Sequence, residues 1–261
     1  MNTTIDLKNK TIVITGASQG IGEDIARYCA QSGAAGLCLT GRNSQRGEKI
    51  ARELTGEGCP TLFIEAHLEK PDDCRSIMGS ALERFKRVDG LVNAAGLTDR
   101  GTIEDTSIEL WDRLFAVNVR APFILSQELV RYLKKEKRPG SIVNIITMSS
   151  HGGQPFLTAY ASSKGALATL TKNNAHALRF DRIRVNGINI GWTDTPGEHA
   201  IQKRDGNPAD WLQKAEASQP FQRLIKPKDV SFLTSYLLSD KSEMMTGALI
   251  DFDQNVIGAY S

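Results

Sequence analysis

Short apolar runs alternate with longer amphipathic stretches along most of this chain. The runs fall at residues 10–15, 36–40, 61–66, 88–92, 141–146, 182–190 and 248–252, and Val, Ile and Leu dominate them. Runs this short, with few polar interruptions, predict strands buried on both faces. Between them lie stretches of helical period at 20–32, 44–55, 71–85, 108–137, 158–180 and 229–238. In 44–55, for example, Ile50, Ala51 and Leu54 share one side. Pro71 sits where a helix first turn accepts proline. Pro122 falls inside 108–137, where a proline removes a backbone bond, so a break is expected there. Strand–helix alternation of this kind predicts an α/β fold with a mostly parallel, seven-stranded sheet and helices on both faces. Right-handed crossovers would then bring the C-terminal ends of the strands to one edge.

The first strand runs into Gly16-Ala17-Ser18-Gln19-Gly20-Ile21-Gly22 and then a helix. Glycines in such a turn allow close backbone approach, and a helix N-terminus favours an anion. This predicts a dinucleotide site in a single-domain, Rossmann-like three-layer fold spanning 1–261. In such folds a carboxylate some ~20 residues further on binds the ribose 2′-hydroxyl, and a basic residue replaces it where a 2′-phosphate is present. No acid lies between Leu37 and Gln45, and Arg42 ends the second strand. NADP(H) is therefore favoured, with NAD(H) open; the plainer reading of Arg42 is a loop residue in solvent.

Tyr160 and Lys164 are four residues apart on an expected helix and so share a face. A free phenol has a pKa of about 10, too high for a base at neutral pH. A nearby cation lowers it, and the pair can then take a proton from an alcohol or give one to a carbonyl. The same pattern also arises where Tyr is core and Lys a solvated neighbour. Asn118 lies among Phe115, Val117, Val119 and Phe123. A buried amide needs partners, so it is a structural knot or part of a site.

Composition narrows the field. With 261 residues, 40% hydrophobic, 24% charged and a net charge of +2, the chain can bury a sizeable core and implies no acidic partner. The short basic stretch 134–138 suits a helix C-terminus rather than nucleic acid. Cys29, Cys38, Cys59 and Cys74 form no CxxC pair and have no histidine at ligand spacing, which points to reduced thiols, no metal and a cytoplasmic protein. No run is long enough to span a bilayer, and residues 1–6 lack the pattern of a signal peptide.

Taken together, the motifs resemble the short-chain dehydrogenase/reductase family in its short single-domain branch. Thr15 to Gly22 is similar to its TGxxxGIG motif, Asn93-Ala94-Ala95-Gly96 to NNAG, Tyr160 and Lys164 to its YxxxK pair, and 184–191 to RVNxxxPG. Asn118 is similar to the family's helix asparagine. The resemblance implies that Tyr160 is the general acid/base and that Lys164 lowers its pKa and binds the nicotinamide ribose. It implies that Asn118 holds a water, and that a hydroxyl thirteen residues before Tyr160 orients the substrate oxygen. That position is Thr147 where the family has serine; Ser149 is the alternative, and both could be turn-capping hydroxyls. Gly16, Ser18, Gln19, Gly20, Ile21 and Gly22 would line the phosphates and nearby ribose. Asn93, Ala94 and Ala95 would flank the adenosine, and His67, Leu68 and Thr193 are further coenzyme contacts. His67 stands where the family often has Asp, Ile190 where it has proline, and Asp253-Gln254-Asn255 in place of DGG.

The expected function is an NAD(P)(H)-dependent oxidoreductase interconverting a secondary alcohol and a ketone, in a homotetramer or homodimer. A coenzyme-binding sensor or scaffold without turnover is the alternative. Epimerase or dehydratase chemistry fits less well, because enzymes of that sort are usually longer. Residues 191–220, with Trp192, Glu198, His199 and Trp211, look like a lid over a small-molecule substrate. Those four could suit a sugar, a polyol or a keto compound, or pack inside the lid.

Overall fold

The run expected over 10–15 forms β1, Thr11–Thr15, with all five residues buried. The computed structural model describes residues 5–258. Most of the opening stretch on which the signal-peptide expectation rests lies outside them. The other strands are β2 Gly36–Gly41, β3 Thr61–Glu65, β4 Gly90–Asn93, β5 Gly140–Ile145, β6 Ile183–Ile190 and β7 Leu249–Phe252. They form one sheet in the order β3-β2-β1-β4-β5-β6-β7. Every pairing in it is parallel.

The helices are α1 Gly20–Gln31, α2 Ser44–Gly56, α3 Pro71–Phe85, α4 Ile108–Phe115, α5 Ala121–Lys135, α6 Thr158–Leu178, α7 Pro196–Arg204, α8 Trp211–Ala217 and α9 Pro227–Leu238. Strand residues alternate between two cores, as period two demands. Ile12, Ile14, Leu37 and Leu39 face a core shared with Ile25 of α1, Leu54 of α2 and Leu237 of α9. Val13, Cys38, Leu91 and Ile142 face the other, with Ile77 of α3, Leu129 of α5 and Leu178 of α6. Both faces are covered, which is why these strands carry so few polar residues.

Three features differ in detail from the periodicity. The break expected at Pro122 is a five-residue π turn, Ala116–Arg120, centred on Asn118. Pro122 sits in the first turn of α5, where its missing N–H costs little. The last helix begins at Pro227 rather than 229, because Asp229 accepts a bond from the Lys226 N–H at 2.9 Å and fixes the helix start. Residues 191–220 contain two short helices, α7 and α8, that apolar periodicity did not reveal. Thr195 starts α7 by accepting a bond from the Glu198 N–H at 3.1 Å.

The strand order reverses between β1 and β4. Open parallel sheets bind ligands at the carboxyl ends of the strands beside such a switch point.

Candidate active site

A cleft of about 880 Å³ opens at that switch point. Its walls include Gly16, Ser18, Gln19, Gly20, Ile21, Gly22, Arg42, Leu68, Ala94, Ala95, Thr147, Ser149, Tyr160, Lys164 and Thr193. Three further candidates do not line it. His67 is exposed beyond the rim, where its N–H donates to Asp73. Asn93 is buried behind the wall, its amide donating to Asn144 Oδ1 at 2.8 Å. Asn118 is wholly buried beneath the catalytic candidates.

The glycine turn owes its shape to contact with the next loop. Gly16 has φ +68°, and a Cβ there would lie 2.8 Å from Ala95 Cα. A Cβ on Gly22 would lie 2.5 Å from the Gly16 carbonyl oxygen, so α1 starts directly against the turn. Thr15 pins the second loop: its hydroxyl oxygen accepts from the N–H groups of Ala94 at 3.1 Å and Ala95 at 3.0 Å. The free N–H groups at the start of α1 and the close main-chain walls fit a coenzyme pyrophosphate. Thr40, at the end of β2, lines the cleft with a buried hydroxyl that has no partner among the described residues. Such an orphan is costly unless a ligand satisfies it. Arg42 is exposed on the rim beside it.

On the opposite wall, α6 presents Tyr160 and Lys164. Small residues let this helix lie close to the sheet, with Ala159, Ser163, Leu167, Ala168 and Thr171 buried along one side. Lys164 is 4% exposed, and its ammonium donates to the Ile145 carbonyl at the end of β5, 2.8 Å away. That is one of three N–H donors, and the others are open to a ligand. Asn118 is consumed by structure: its Oδ1 accepts from the Leu97 N–H at 2.9 Å, and its amide donates to the Leu97 carbonyl and to Ser163 Oγ, both at 3.0 Å. It thereby ties the π turn, the loop after β4 and α6 together. Gly96 passes beside them; a Cβ there would lie 3.4 Å from Lys164 Nζ.

Thr147 and Ser149 are bonded to each other: Thr147 Oγ1 donates to Ser149 Oγ and accepts from the Ser149 N–H, both at 3.3 Å. Ser149 donates to Gln154 Oε1. Burial pushes the Tyr160 phenol up to about 12, an effect that the Thr147 hydroxyl partly offsets and the Glu198 charge reinforces. Burial also pushes the Lys164 ammonium down to about 8. Desolvation is the leading cause for both groups and drives each toward neutrality.

The segment 191–220, expected as a lid, lines the far end of the cleft. Trp192 Nε1 and the Gln202 amide donate to Glu198 Oε1 at 3.0 and 2.6 Å. Trp192 and Glu198 line the cleft. His199 and Trp211 do not: their rings pack edge to face 4.9 Å apart, and His199 pairs with Asp194 at 2.7 Å. The lid is strapped to the loop after β4 by Arg100–Asp205 at 2.8 Å and Arg204–Asp99 at 3.3 Å.

The family model for short chain dehydrogenases matches residues 10–206. The chain belongs to the short-chain dehydrogenase/reductase family. It is 34% identical over 249 residues to an uncharacterized oxidoreductase of Thermotoga maritima, covering 95% of this chain and 98% of that protein. It is 30% identical over 244 residues to the NADP-dependent (R)-specific alcohol dehydrogenase of Lentilactobacillus kefiri, covering 93% and 94%. Among solved structures, a short-chain type dehydrogenase/reductase from Mycobacterium marinum superposes with a TM-score of 0.89 at 29% identity, over 98% of each chain. As a member of this family the chain is an NAD(P)-dependent oxidoreductase.

Seen within the short-chain dehydrogenase/reductase family, the departures at the C-terminus have a structural use. Gln254, in the stretch that replaces DGG, accepts from the Phe221 N–H at 2.7 Å and donates to the Arg223 carbonyl at 2.8 Å. It fastens the end of the lid to the end of β7. Sequence reasoning marked Gln254 only as a departure from DGG; it missed Arg100, Gln154 and Ser163, and also Arg46, which donates to Gln19 Oε1 at 2.7 Å. Only Arg46 had a local signal, one turn after Arg42 on α2.

Proposed function

We propose that this chain interconverts a secondary alcohol and a ketone, with NADP(H) favoured over NAD(H). The observation that carries the reading is that the Tyr160 phenol, the Thr147 hydroxyl and the buried Lys164 ammonium line the same cleft as the glycine turn. When bound, the nicotinamide coenzyme supplies or accepts the hydride. Tyr160 gives a proton to the ketone oxygen in reduction and takes it from the hydroxyl in oxidation. Thr147 fixes that oxygen against the phenol. Lys164, anchored on the Ile145 carbonyl, keeps two N–H donors for a ribose hydroxyl and stabilises the phenolate as it forms. Asn118 positions Lys164's surroundings through Leu97 and Ser163. With both amide N–H groups taken, the second lone pair of its Oδ1 is what accepts from a water there.

Arg42 at the rim, with no acid at the end of β2, supports the preference for a 2′-phosphate. The Lentilactobacillus kefiri relative, named as NADP-dependent, supports it too. Exposed Phe123, Phe180 and Phe232 give the expected homotetramer or homodimer apolar surface to bury.

Tyr160→Phe tests the reading. Turnover of a ketone panel with NADPH should fall on the order of 10³-fold, while coenzyme affinity stays within about threefold of the parent. Substantial residual turnover would remove Tyr160 from the chemistry. Coenzyme binding by the parent with no turnover on any substrate would favour the sensor.

A further inference from the structure

At the substrate end of the cleft Glu198 is a charged acceptor with one oxygen to spare. Its side chain is 17% exposed, on the first turn of α7. Oε1 takes the bonds from Trp192 and Gln202 and the longer 3.7 Å approach of Arg100. Oε2 has no hydrogen-bond partner among the described residues. The carboxylate stands close enough to Tyr160 for its charge to act on the phenol.

Two further features surround it. Gln154, whose carbonyl oxygen is taken by Ser149, lines the cleft with an amide NH₂ that has no acceptor among the described residues. Trp192 and Phe156 offer aromatic faces, 41% and 45% exposed. The guanidinium of Arg100 is already held, by Asp205 at 2.8 Å and by Glu198, and it lies over the Phe156 ring at 5.6 Å. Asp205 is also held by Arg204 at 3.2 Å, which leaves Glu198, with only the longer 3.7 Å approach of Arg100, as the weakly paired carboxylate that an incoming anion meets.

We propose that the substrate is an uncharged chain of adjacent hydroxyls, a polyol or its keto form. One of its hydroxyls donates to Glu198 Oε2, and the same carboxylate turns away molecules that carry a carboxylate of their own. This rests on the alcohol/ketone reading above. Aromatic faces suit the C–H surface of such a chain, and the Gln154 amide supplies a donor for a second hydroxyl. A monohydric apolar alcohol would leave Glu198 Oε2 unsatisfied on closing the cleft, which is costly for a charged group.

The test uses matched pairs: sorbitol with gluconate, and xylitol with xylonate, each assayed with NADP⁺ and NAD⁺. 2-Butanol and 1-phenylethanol serve as monohydric alcohols. In the parent protein kcat/KM for each polyol should exceed that of its acid by about tenfold or more. Glu198→Gln keeps an acceptor for Trp192 and removes the charge, so that ratio should narrow by about tenfold. Coenzyme affinity shows whether the variant folds; if it does not, the parent's ratio decides alone. Acids turned over as well as polyols, a ratio unmoved in the folded variant, or turnover of monohydric alcohols alone would overturn the proposal and leave the alcohol/ketone reading standing. Coenzyme binding with no turnover of any compound in either direction would overturn both.

Discussion

Where β1 and β4 end, the cleft wall is main chain: the Gly16 turn and the Ala94–Ala95 loop lie too close for a side chain between them. Beneath α7 the wall is long side chains instead: Gln154, Trp192 and Glu198, bonded to near neighbours in sequence, and Arg100, bonded to residues far along the chain. Main-chain walls depend on φ, on hydrogen bonds at strand ends and on helix N-termini. Those features suit a ligand whose phosphates are the same in every member of a family. Side-chain walls can be exchanged one residue at a time, and so they suit the part of the ligand that differs. Lys164 sits at the junction, with its stem in the core and its charge at the cleft.

The largest effect is expected at that junction. Lys164→Met should lower turnover on the order of 10³-fold, yet raise stability at neutral pH. Burial depresses the lysine's pKa from 10.5 to about 8. A depressed ammonium binds its proton less tightly in the native state than in the unfolded chain, so stability rises with pH between about 8 and 10.5. Below pH 8 the full cost of the buried charge applies, up to ~3 kcal/mol. Leaving the Ile145 carbonyl without its donor costs about 1 kcal/mol. The variant should therefore gain about 2 kcal/mol at pH 7 in urea melts and lose that gain by pH 10.5. A variant less stable than the parent at pH 7 would mean that the fold compensates the ammonium better than burial implies.

At the main-chain end, Gly16→Ala places a Cβ against Ala95 Cα at a φ that side chains rarely adopt. A loss of about 2–3 kcal/mol in stability is expected, with a coenzyme affinity about 100-fold weaker. Thermal melts and fluorescence titration read the two effects separately. Near-normal coenzyme binding would show that this wall yields, and that the contrast between the two ends is one of degree.

Arg42→Ala should cost less and act selectively. NADPH affinity is expected to fall about 30-fold and NADH affinity less than about threefold, because only the 2′-phosphate makes a charge-assisted bond there. Equal loss for both coenzymes would reject the assignment of Arg42 to that phosphate. Arg46, already bonded to Gln19, is the comparison residue: its replacement should disturb Gln19 and leave the preference between coenzymes standing.

How far the sequence could be read follows the same division. All seven strands and the glycine turn announced themselves, because strand burial and turn geometry are written in consecutive residues. Tyr160 and Lys164 did too, being one helical turn apart. The electrostatics of that pair did not, since the depth at which α6 sits on the sheet decides whether attraction or desolvation prevails. Asn118 was visible as an amide in an apolar setting, but its partner Ser163 is 45 residues away and bonds it only through the π turn. Arg100 is more hidden still. It lies in an aperiodic loop and acquires meaning from Asp205, 105 positions later, and from an α7 that has no apolar stripe to reveal it. His67 shows the converse: its position in the chain suggested a coenzyme contact, and the loop turns it outward beyond the rim.

The smallest effect expected is at the lid straps, and it separates the two ends most finely. Asp99 receives Arg113 at 3.0 Å and Arg204 at 3.3 Å, and Arg204 is half exposed. Exposed pairs of this kind contribute below about 1 kcal/mol each, so Asp99→Asn should barely move the melting temperature. Its consequence should appear in KM for the alcohol, raised about threefold as α7 loses a tether, with coenzyme affinity unchanged. Salt should imitate the substitution. Screening over ~10 Å at 0.1 M weakens both straps in the parent and only Arg100–Asp205 in the variant, so salt should raise KM further in the parent than in the variant. The Arg27–Glu53 pair between α1 and α2, 2.7 Å long and similarly exposed, is the control. It lies behind the main-chain end, so breaking it should leave KM for the alcohol where it was. If Glu53→Gln raised KM as much as Asp99→Asn does, the straps would be ordinary surface charge, and the lid would owe its position to Gln254 and the Trp192–Trp211 contact alone.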